Sequence, residues 1–347
     1  MSFAYQTDVL KTLREALDGQ PPSATLVYGR GCTLVSDWLD PAGSTLLMSA
    51  DRRDISPSHP HGFVGMERPE AVVERVICRL PRSKEELHYL SSLFASLLPE
   101  GGALWLAGHM REGIKSAARV LEERVGPVST VRTKRRTRVL VARRDPLRCK
   151  PLTLAETRRV FEVEAFGTAM TFCTLVGDFA HGKLDGGTAR LLARLAVEPP
   201  RGAVLDLGSG AGVLGLCTAT LDDVRSVDLV EVLWPGVEAA YLNETTLKPL
   251  LKAEVRHHLA SASEAPRGPF DVVLTNPPFH DGKGEDRHAV ESFAKAAQSR
   301  LTDRGIFWVV ANRHLGYRAP LERSFSAVEV AWEDGLFRVW RCSKPRR

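Results

Sequence analysis

Asn276-Pro277-Pro278-Phe279 is a run of four residues whose types suit one chemical task, the holding of a planar amine. An amine conjugated to a nucleobase or a carbonyl is a weak nucleophile, because its lone pair is delocalised into the π system. Two neutral acceptors, the Asn276 side-chain oxygen and the Pro277 carbonyl, would take its two N–H groups and favour the geometry in which the lone pair faces an electrophile. Neither acceptor titrates. Phe279 would stack on the flat acceptor, a contact worth roughly 1–3 kcal/mol per base. The competing structural reading is a proline-terminated strand followed by a core phenylalanine.

A second group lies upstream. Asp206-x-Gly208-x-Gly210-x-Gly212, with Ser209 inside it, alternates glycines from the end of an apolar run and opens what reads as a helix near Val213. Glycines in a strand-to-helix turn permit tight curvature and close approach of a ligand to the backbone. The string Gly210-x-Gly212-x-x-Gly215 also matches a dinucleotide fingerprint. A carboxylate within the turn repels a pyrophosphate, however, whereas it suits the ammonium end of S-adenosylmethionine. Glu231 closes the next apolar run, the place from which an acidic side chain can accept both hydroxyls of a ribose. Ser261 follows the run after that, where an adenine edge is expected.

The elements that must position these groups follow from the pattern. Residues 270–275 are an apolar strand stopped by two prolines, so Asn276 sits at its carboxyl end, where open parallel sheets carry their chemistry. Residues 203–207, 225–230, 253–259 and 306–311 read as further strands, with a closing hairpin turning at Asp334-Gly335. The first half has the same order, with strands at 24–28, 45–50, 72–80 and 103–107. A helix opens at Ser83, with Glu86 three residues on, and two basic strands finish the half. Val76-Ile77-Cys78-Arg79-Leu80-Pro81 stands where residues 272–277 stand later, and Leu98-Pro99-Glu100-Gly101-Gly102-Ala103-Leu104-Trp105 matches residues 301–308. The chain therefore reads as α/β, with one sheet domain in two copies. The first keeps only Gly29-Arg30-Gly31 at the cofactor-loop position. Expected boundaries are 1–147 for the leading copy, 148–165 for a linker and 166–347 for the second copy.

Composition narrows the class. At 347 residues the chain exceeds one comfortable core, and no apolar run reaches membrane-spanning length. The amino terminus does not have the form of a secretory leader, and the six cysteines are scattered without Cys-x-x-Cys spacing, so a reducing cytoplasm is expected. No metal is expected, since His59-x-His61 lacks a third ligand nearby. Residues 1–150 carry a net +6 and the remainder −1. The densest piece, Arg132 to Arg138, suits phosphate contacts, although a charge run is commonly a solvated face.

Residues 204–212, Glu231 and Asn276-Pro277-Pro278-Phe279-His280-Asp281-Gly282, with the lead-in Leu184-Asp185-x-Gly187-Thr188, resemble a class I S-adenosylmethionine-dependent methyltransferase. The likeness within that class is to the ribosomal RNA guanine-N2 methyltransferase family, which includes small-subunit methyltransferase C and large-subunit methyltransferase G types. The resemblance spans nearly the whole chain. It implies two tandem Rossmann-like methyltransferase domains, the first degenerate and the second a seven-stranded catalytic sheet. It implies S-adenosylmethionine held by Asp206, Gly208, Ser209, Gly210, Gly212, Glu231, Ser261 and Asn276, and a target guanine held by Asn276, Pro277, Pro278 and Phe279. The implied partner is ribosomal RNA or a ribosomal subunit, with 16S RNA favoured, and the implied protein is a cytoplasmic monomer. Ser261 replaces a more usual Asp or Asn, and Thr188 a serine. Alternative readings are a 23S methyltransferase, a protein glutamine-N5 methyltransferase, a nicotinamide dehydrogenase and an RNA-binding module without activity.

Overall fold

Runs of β-branched and aliphatic residues, separated by helices, fold twice into one strand order. The structure is a computed structural model and describes residues 3–39, 45–56, 59–277 and 285–346. Two units divide the chain, Met1–Arg158 and Arg159–Arg347.

In the first unit, α1 (Phe3–Leu17) leads into β1 (Thr25–Tyr28), α2 (Cys32–Leu39), β2 (Leu46–Ser49), β3 (Gly62–Val64) and β4 (Arg75–Arg79). Then come α3 (Lys84–Leu97), β5 (Ala103–His109), α4 (Ile114–Arg124), β6 (Val128–Lys134) and β7 (Thr137–Arg143). The sheet runs β3-β2-β1-β4-β5-β7-β6, parallel except where β7 pairs with its neighbours.

The second unit opens with a hairpin, β8 (Arg159–Ala165) and β9 (Thr168–Thr174). It continues through α5 (Gly186–Val197), β10 (Gly202–Leu207), α6 (Val213–Thr218), β11 (Val224–Glu231), α7 (Trp234–Leu247), β12 (Glu254–Leu259) and β13 (Phe270–Thr275). The remaining elements are α8 (Glu285–Gln298), β14 (Leu301–Asn312), α9 (Arg318–Ser324), β15 (Phe325–Glu333) and β16 (Phe337–Pro345). Its sheet order, β12-β11-β10-β13-β14-β16-β15, repeats the first strand for strand. Trp105 in β5 and Trp308 in β14 hold the same place, and by register Val76 in β4 answers Val273 in β13, one residue on from the match read in the sequence.

One boundary differs from the sequence reading. Residues 159–165, expected in the linker, form β8, turned back through Phe166 and Gly167 at positive φ. Val163, Ala165, Met170 and Phe172 bury one face of this hairpin against Leu191 and Leu195 of α5, so it belongs to the second core.

Strand alternation splits that core into two faces. Val204, Val272, Leu274, Trp308 and Val310 face α5 and α6, while Leu205, Leu207, Val273, Phe307 and Val309 face α8 and α9. Period two therefore places Asp206, and Asn276 beyond the end of β13, on the α5 side.

Candidate active site

The glycine turn leaves β10 at Leu207, with Gly208, Gly210 and Gly212 all at positive φ, between 52° and 80°. Only glycine adopts that conformation without strain. Gly215, one turn into α6, has a different reason to be glycine, since a Cβ there would lie 2.2 Å from Leu229 Cδ2. Helix α6 consequently sits close against β11. Beneath the turn, Asp206 is fully buried, and its Oδ2 accepts the Gly215 N–H at 2.9 Å. Its Oδ1 has no partner among the described residues. Burial pushes the Asp206 carboxyl up to about 7 against the opposing Gly215 hydrogen bond, with Glu231 adding to the rise.

Glu231 ends β11 beside the turn. Its Oε2 accepts the Gly210 N–H at 2.9 Å, and its Oε1 accepts the N–H groups of Val232 and Leu233 at 2.7 and 2.8 Å. Ser209 donates its N–H to Val230 O at 3.1 Å. Ser261 is occupied within its own turn, its hydroxyl bonded to Glu264 and Ser263, and among the described residues it makes no hydrogen bond to the other site residues.

Asn276 comes to the same edge. Asp206 pairs in register with Leu274, so Gly208 stands level with Asn276 on the adjacent strand. Thr275 donates its hydroxyl to Leu207 O at 2.7 Å, fastening β13 to the start of the turn. The Asn276 amide is oriented by chemistry. Its Nδ2 donates to Asp185 Oδ1 at 2.6 Å and to Thr188 Oγ1 at 3.0 Å. An ionised carboxylate only accepts, so the nitrogen must face Asp185. The oxygen is thereby turned the other way, buried and unpartnered among the described residues. A Cβ on Gly187 would lie 3.1 Å from that oxygen, which explains a second glycine. Asp185 also caps α5 by accepting the N–H groups of Gly187 and Thr188. Asp185 therefore does two things, capping α5 and orienting the Asn276 amide. Pro277 is buried. Pro278 and Phe279 lie outside the described residues, as do His280, Asp281 and Lys283.

Two functional positions escaped the sequence reading. Asp178, in the loop after β9, places its Oδ1 where a Cβ on Gly210 would approach to 3.5 Å, and its Oδ2 is shut from solvent without a partner among the described residues. Burial, then Glu231, pushes its carboxyl up to about 8 despite a hydrogen bond from the Phe179 N–H. Asn243, on α7, donates from Nδ2 to Cys173 O and Ala211 O, and accepts the Cys173 N–H. It ties the hairpin to the glycine turn. Both residues reach the turn through tertiary contact with no local motif.

The basic segment of the first unit is less available than its composition implies. Arg132, Lys134 and Arg135 all converge on Glu15 of α1, at 2.7, 2.9 and 2.8 Å. These hydrogen bonds, Arg135's first, pull the Glu15 carboxyl down to about 2. Arg136 at the turn remains exposed.

The site is a glycine cradle walled by three carboxylates, with an oriented amide oxygen at its open side. Residues 169–341 match the methyltransferase small domain, and residues 53–147 match the methyltransferase small domain N-terminal model. The ribosomal RNA small subunit methyltransferase C of Pseudomonas fluorescens is 33% identical over 282 residues, covering 81% of this chain and 82% of its own. The large subunit methyltransferase G of Alcanivorax borkumensis is 30% identical, over 81% of this chain and 70% of that one. A solved T. thermophilus 16S rRNA N2 guanine methyltransferase, in complex with AdoMet and guanosine, superposes with a TM-score of 0.84 at 26% identity. That match covers 99% of this chain and 93% of the other. By fold, domain order and this extent of likeness, the chain belongs to the ribosomal RNA guanine-N2 methyltransferase family.

Proposed function

We propose that this chain methylates the exocyclic 2-amino group of a guanine in ribosomal RNA, 16S RNA being favoured, with S-adenosylmethionine as donor. The observation that carries the reading is the Asn276 amide, whose nitrogen is held by Asp185 and Thr188 while its oxygen stays buried and open at the edge shared with the glycine turn. A buried acceptor left unpaired costs about 1–3 kcal/mol, and a ligand N–H offsets that cost on binding.

The residues fit the donor. Gly208, Ser209, Gly210 and Gly212 would admit it against the backbone, while Asp206 and Asp178 present buried carboxylate oxygens suited to an ammonium. Glu231 stands at the strand end, where ribose hydroxyls are commonly accepted, and Ser261 near the expected adenine edge. When bound, S-adenosylmethionine supplies an electrophilic methyl group; the amine nitrogen takes it as the sulfonium C–S bond breaks, and the proton then lost from nitrogen goes to water, leaving N2-methylguanosine and S-adenosylhomocysteine. Asn276 Oδ1 and the Pro277 carbonyl would take the two amine N–H groups and aim the lone pair, with Pro278 and Phe279 against the base. No side chain has to act as base before transfer, so most of the acceleration is positioning. The flat target must leave its stack to reach this edge. The proposed setting is the cytoplasm, with the chain acting as a monomer. Among the described residues no helix is long and apolar enough to cross a membrane.

The test is transfer of a labelled methyl group to 16S and 23S RNA taken from cells lacking the protein, with mass mapping of modified guanosines. Label in N2-methylguanosine of 16S RNA is expected. Label confined to 23S RNA would move the substrate to the other ribosomal RNA, and label in protein alone would end the reading.

A further inference from the structure

Beyond the base site, the second unit carries a cleft of about 450 Å³ lined by Asn312, Arg313, His314, Gly335, Leu336 and Arg338. That volume lies within the range of about 300–1,000 Å³ common for ligand pockets. Its place in the sheet is fixed by register. Thr275 pairs with Val309, so Asn276 stands level with Val310, and Asn312 is two residues farther along the neighbouring strand. At roughly 3.3 Å per residue the cleft begins about 7 Å beyond the amide, on the same carboxyl edge.

The walls are well anchored. Arg313 donates its N–H to Leu336 O at 2.7 Å, and Asp334 Oδ1 accepts the N–H groups of Leu336 and Phe337, each at 2.7 Å. Asp334 Oδ2 is taken by Arg190 of α5 at 3.2 Å. The same helix begins at the cap that orients Asn276. One helix therefore fixes both the amide and the hairpin turn. Charge in the cleft is cationic. Arg338 pairs with Glu333 at 2.7 Å, and Arg313 lies 3.9 Å from the same carboxylate, so two guanidinium groups share one acid. Leu336, 66% exposed, stands at the tip of the turn beside them.

We propose that this cleft is a subsite for the phosphodiester backbone of the RNA strand flanking the target guanine. Arg313 and His314 contact phosphate, and Leu336 lies against the adjoining nucleotide. The inference rests on the proposed RNA substrate. It locates strand recognition in the catalytic unit, next to the chemistry, where a phosphate contact sets register and orientation without reading sequence. Guanidinium groups suit the task because their fork matches phosphate oxygens.

The experiment is filter binding of labelled 16S RNA to the full chain over a salt series, comparing wild type with the Arg313→Ala/His314→Ala double variant and with Leu336→Asp. At about 0.1 M salt the double variant should bind RNA some fivefold to twentyfold more weakly, and its salt slope should be shallower by about one to two. Leu336→Asp, which adds an anion at an exposed position, should also weaken RNA binding severalfold. S-adenosylhomocysteine affinity by calorimetry should stay within about twofold in both, which a general loss of fold would not permit. RNA affinity and salt slope unchanged in a variant that still binds S-adenosylhomocysteine overturn the subsite. If the double variant loses S-adenosylhomocysteine binding, Leu336→Asp decides by the same criterion. Failure of the functional reading looks different, because a wild-type chain that methylates no ribosomal RNA would fail in the label assay while filter binding, which needs no turnover, still scores the cleft.

Discussion

The two sheets share a strand order and differ at one edge. In the second unit β10 opens into glycines and carboxylates, and β13 leads into Asn276. In the first, β1 opens into Gly29-Arg30-Gly31, its Tyr28 ring packs edge-on against Phe94 at 5.2 Å, and Arg79, paired with Glu112, takes the place of Asn276 by register. The scaffold tolerates both fillings because its stability comes from the strand interiors, which are apolar in each. What distinguishes the catalytic edge is a set of acceptor oxygens on Asp178, Asp206 and Asn276, buried and left open. Those atoms burden folding and are useful only to a ligand.

The comparison breaks most sharply at Asn276. Substitution by alanine should return the edge to the character of its degenerate counterpart, lowering kcat by about 100- to 1,000-fold, the usual cost of a lost positioning hydrogen bond. Affinity for S-adenosylhomocysteine should change by less than about threefold, as the proposed role of the amide oxygen, an acceptor for the substrate amine, requires. Steady-state kinetics with ribosomal RNA, set beside calorimetry, read both quantities, and equal losses in the two would place Asn276 on the cofactor. Asp185→Asn comes next in size. An amide at 185 can donate as well as accept, so it no longer dictates which end of Asn276 faces the pocket. We expect kcat to fall about tenfold or more with the fold retained, because the cap it also provides is worth only about 1 kcal/mol. Unaltered turnover would show that Thr188 alone suffices to orient the amide.

Asp178 and Asp206 sharpen the contrast through pH. Both carboxyls are raised from the ordinary 3.8, to about 8 and about 7. An acid raised in the folded state holds its proton there more tightly than in the unfolded chain. The ligand-free protein should therefore lose stability as pH rises from about 4 through about 8, as the unfolded chain gives up its protons first. Asp178→Asn should flatten the upper part of that decline in a denaturant series. Binding of a cationic donor should release protons near neutral pH, seen as a dependence of calorimetric heat on buffer ionisation. A stability curve that rises over this interval would show that these carboxyls are not raised.

Much of this edge was legible in the sequence because the signals are local. Prolines stop a strand wherever they occur, so Asn276 was fixed at a strand end, and alternating glycines after Asp206 announced their turn. Duplication was legible too, from short apolar words in β4 and β13, although the match read from them stands one residue out of the register that the sheets show. Asp178 was not, because nothing around it marks a site; only the fold brings it to Gly210. Residues 159–165 failed differently. Glu162 and Glu164 interleave with Phe161, Val163 and Ala165, and Val160 lies exposed beside the acids, so a strand with one wet face passed for a linker. Asp185 was seen in the lead-in, but its hold on Asn276 was not, because that bond spans 91 residues.

The same distance effect governs the basic hairpin of the first unit, and it yields the smallest effect. Composition counts Arg132, Lys134 and Arg135 as free cations, yet Glu15, more than a hundred residues away in sequence, holds all three. In the second unit the corresponding pair has the opposite polarity, with Arg190 on the helix and Asp334 on the turn. Glu15→Gln should release the cluster. If that hairpin meets RNA, affinity at low salt should rise a few-fold and the salt slope should steepen by up to about one per phosphate gained. Stability should fall only slightly, because the carboxylate is only half-buried and its partly exposed pairs are screened. Glu15 is depressed to about 2 from 4.5, so its stabilisation is present above about 4.5 and vanishes as pH falls toward 2. The variant should therefore match wild type below that window and differ above it. Unchanged RNA affinity and slope would mean that this hairpin serves only to fasten α1, leaving strand recognition to the catalytic unit.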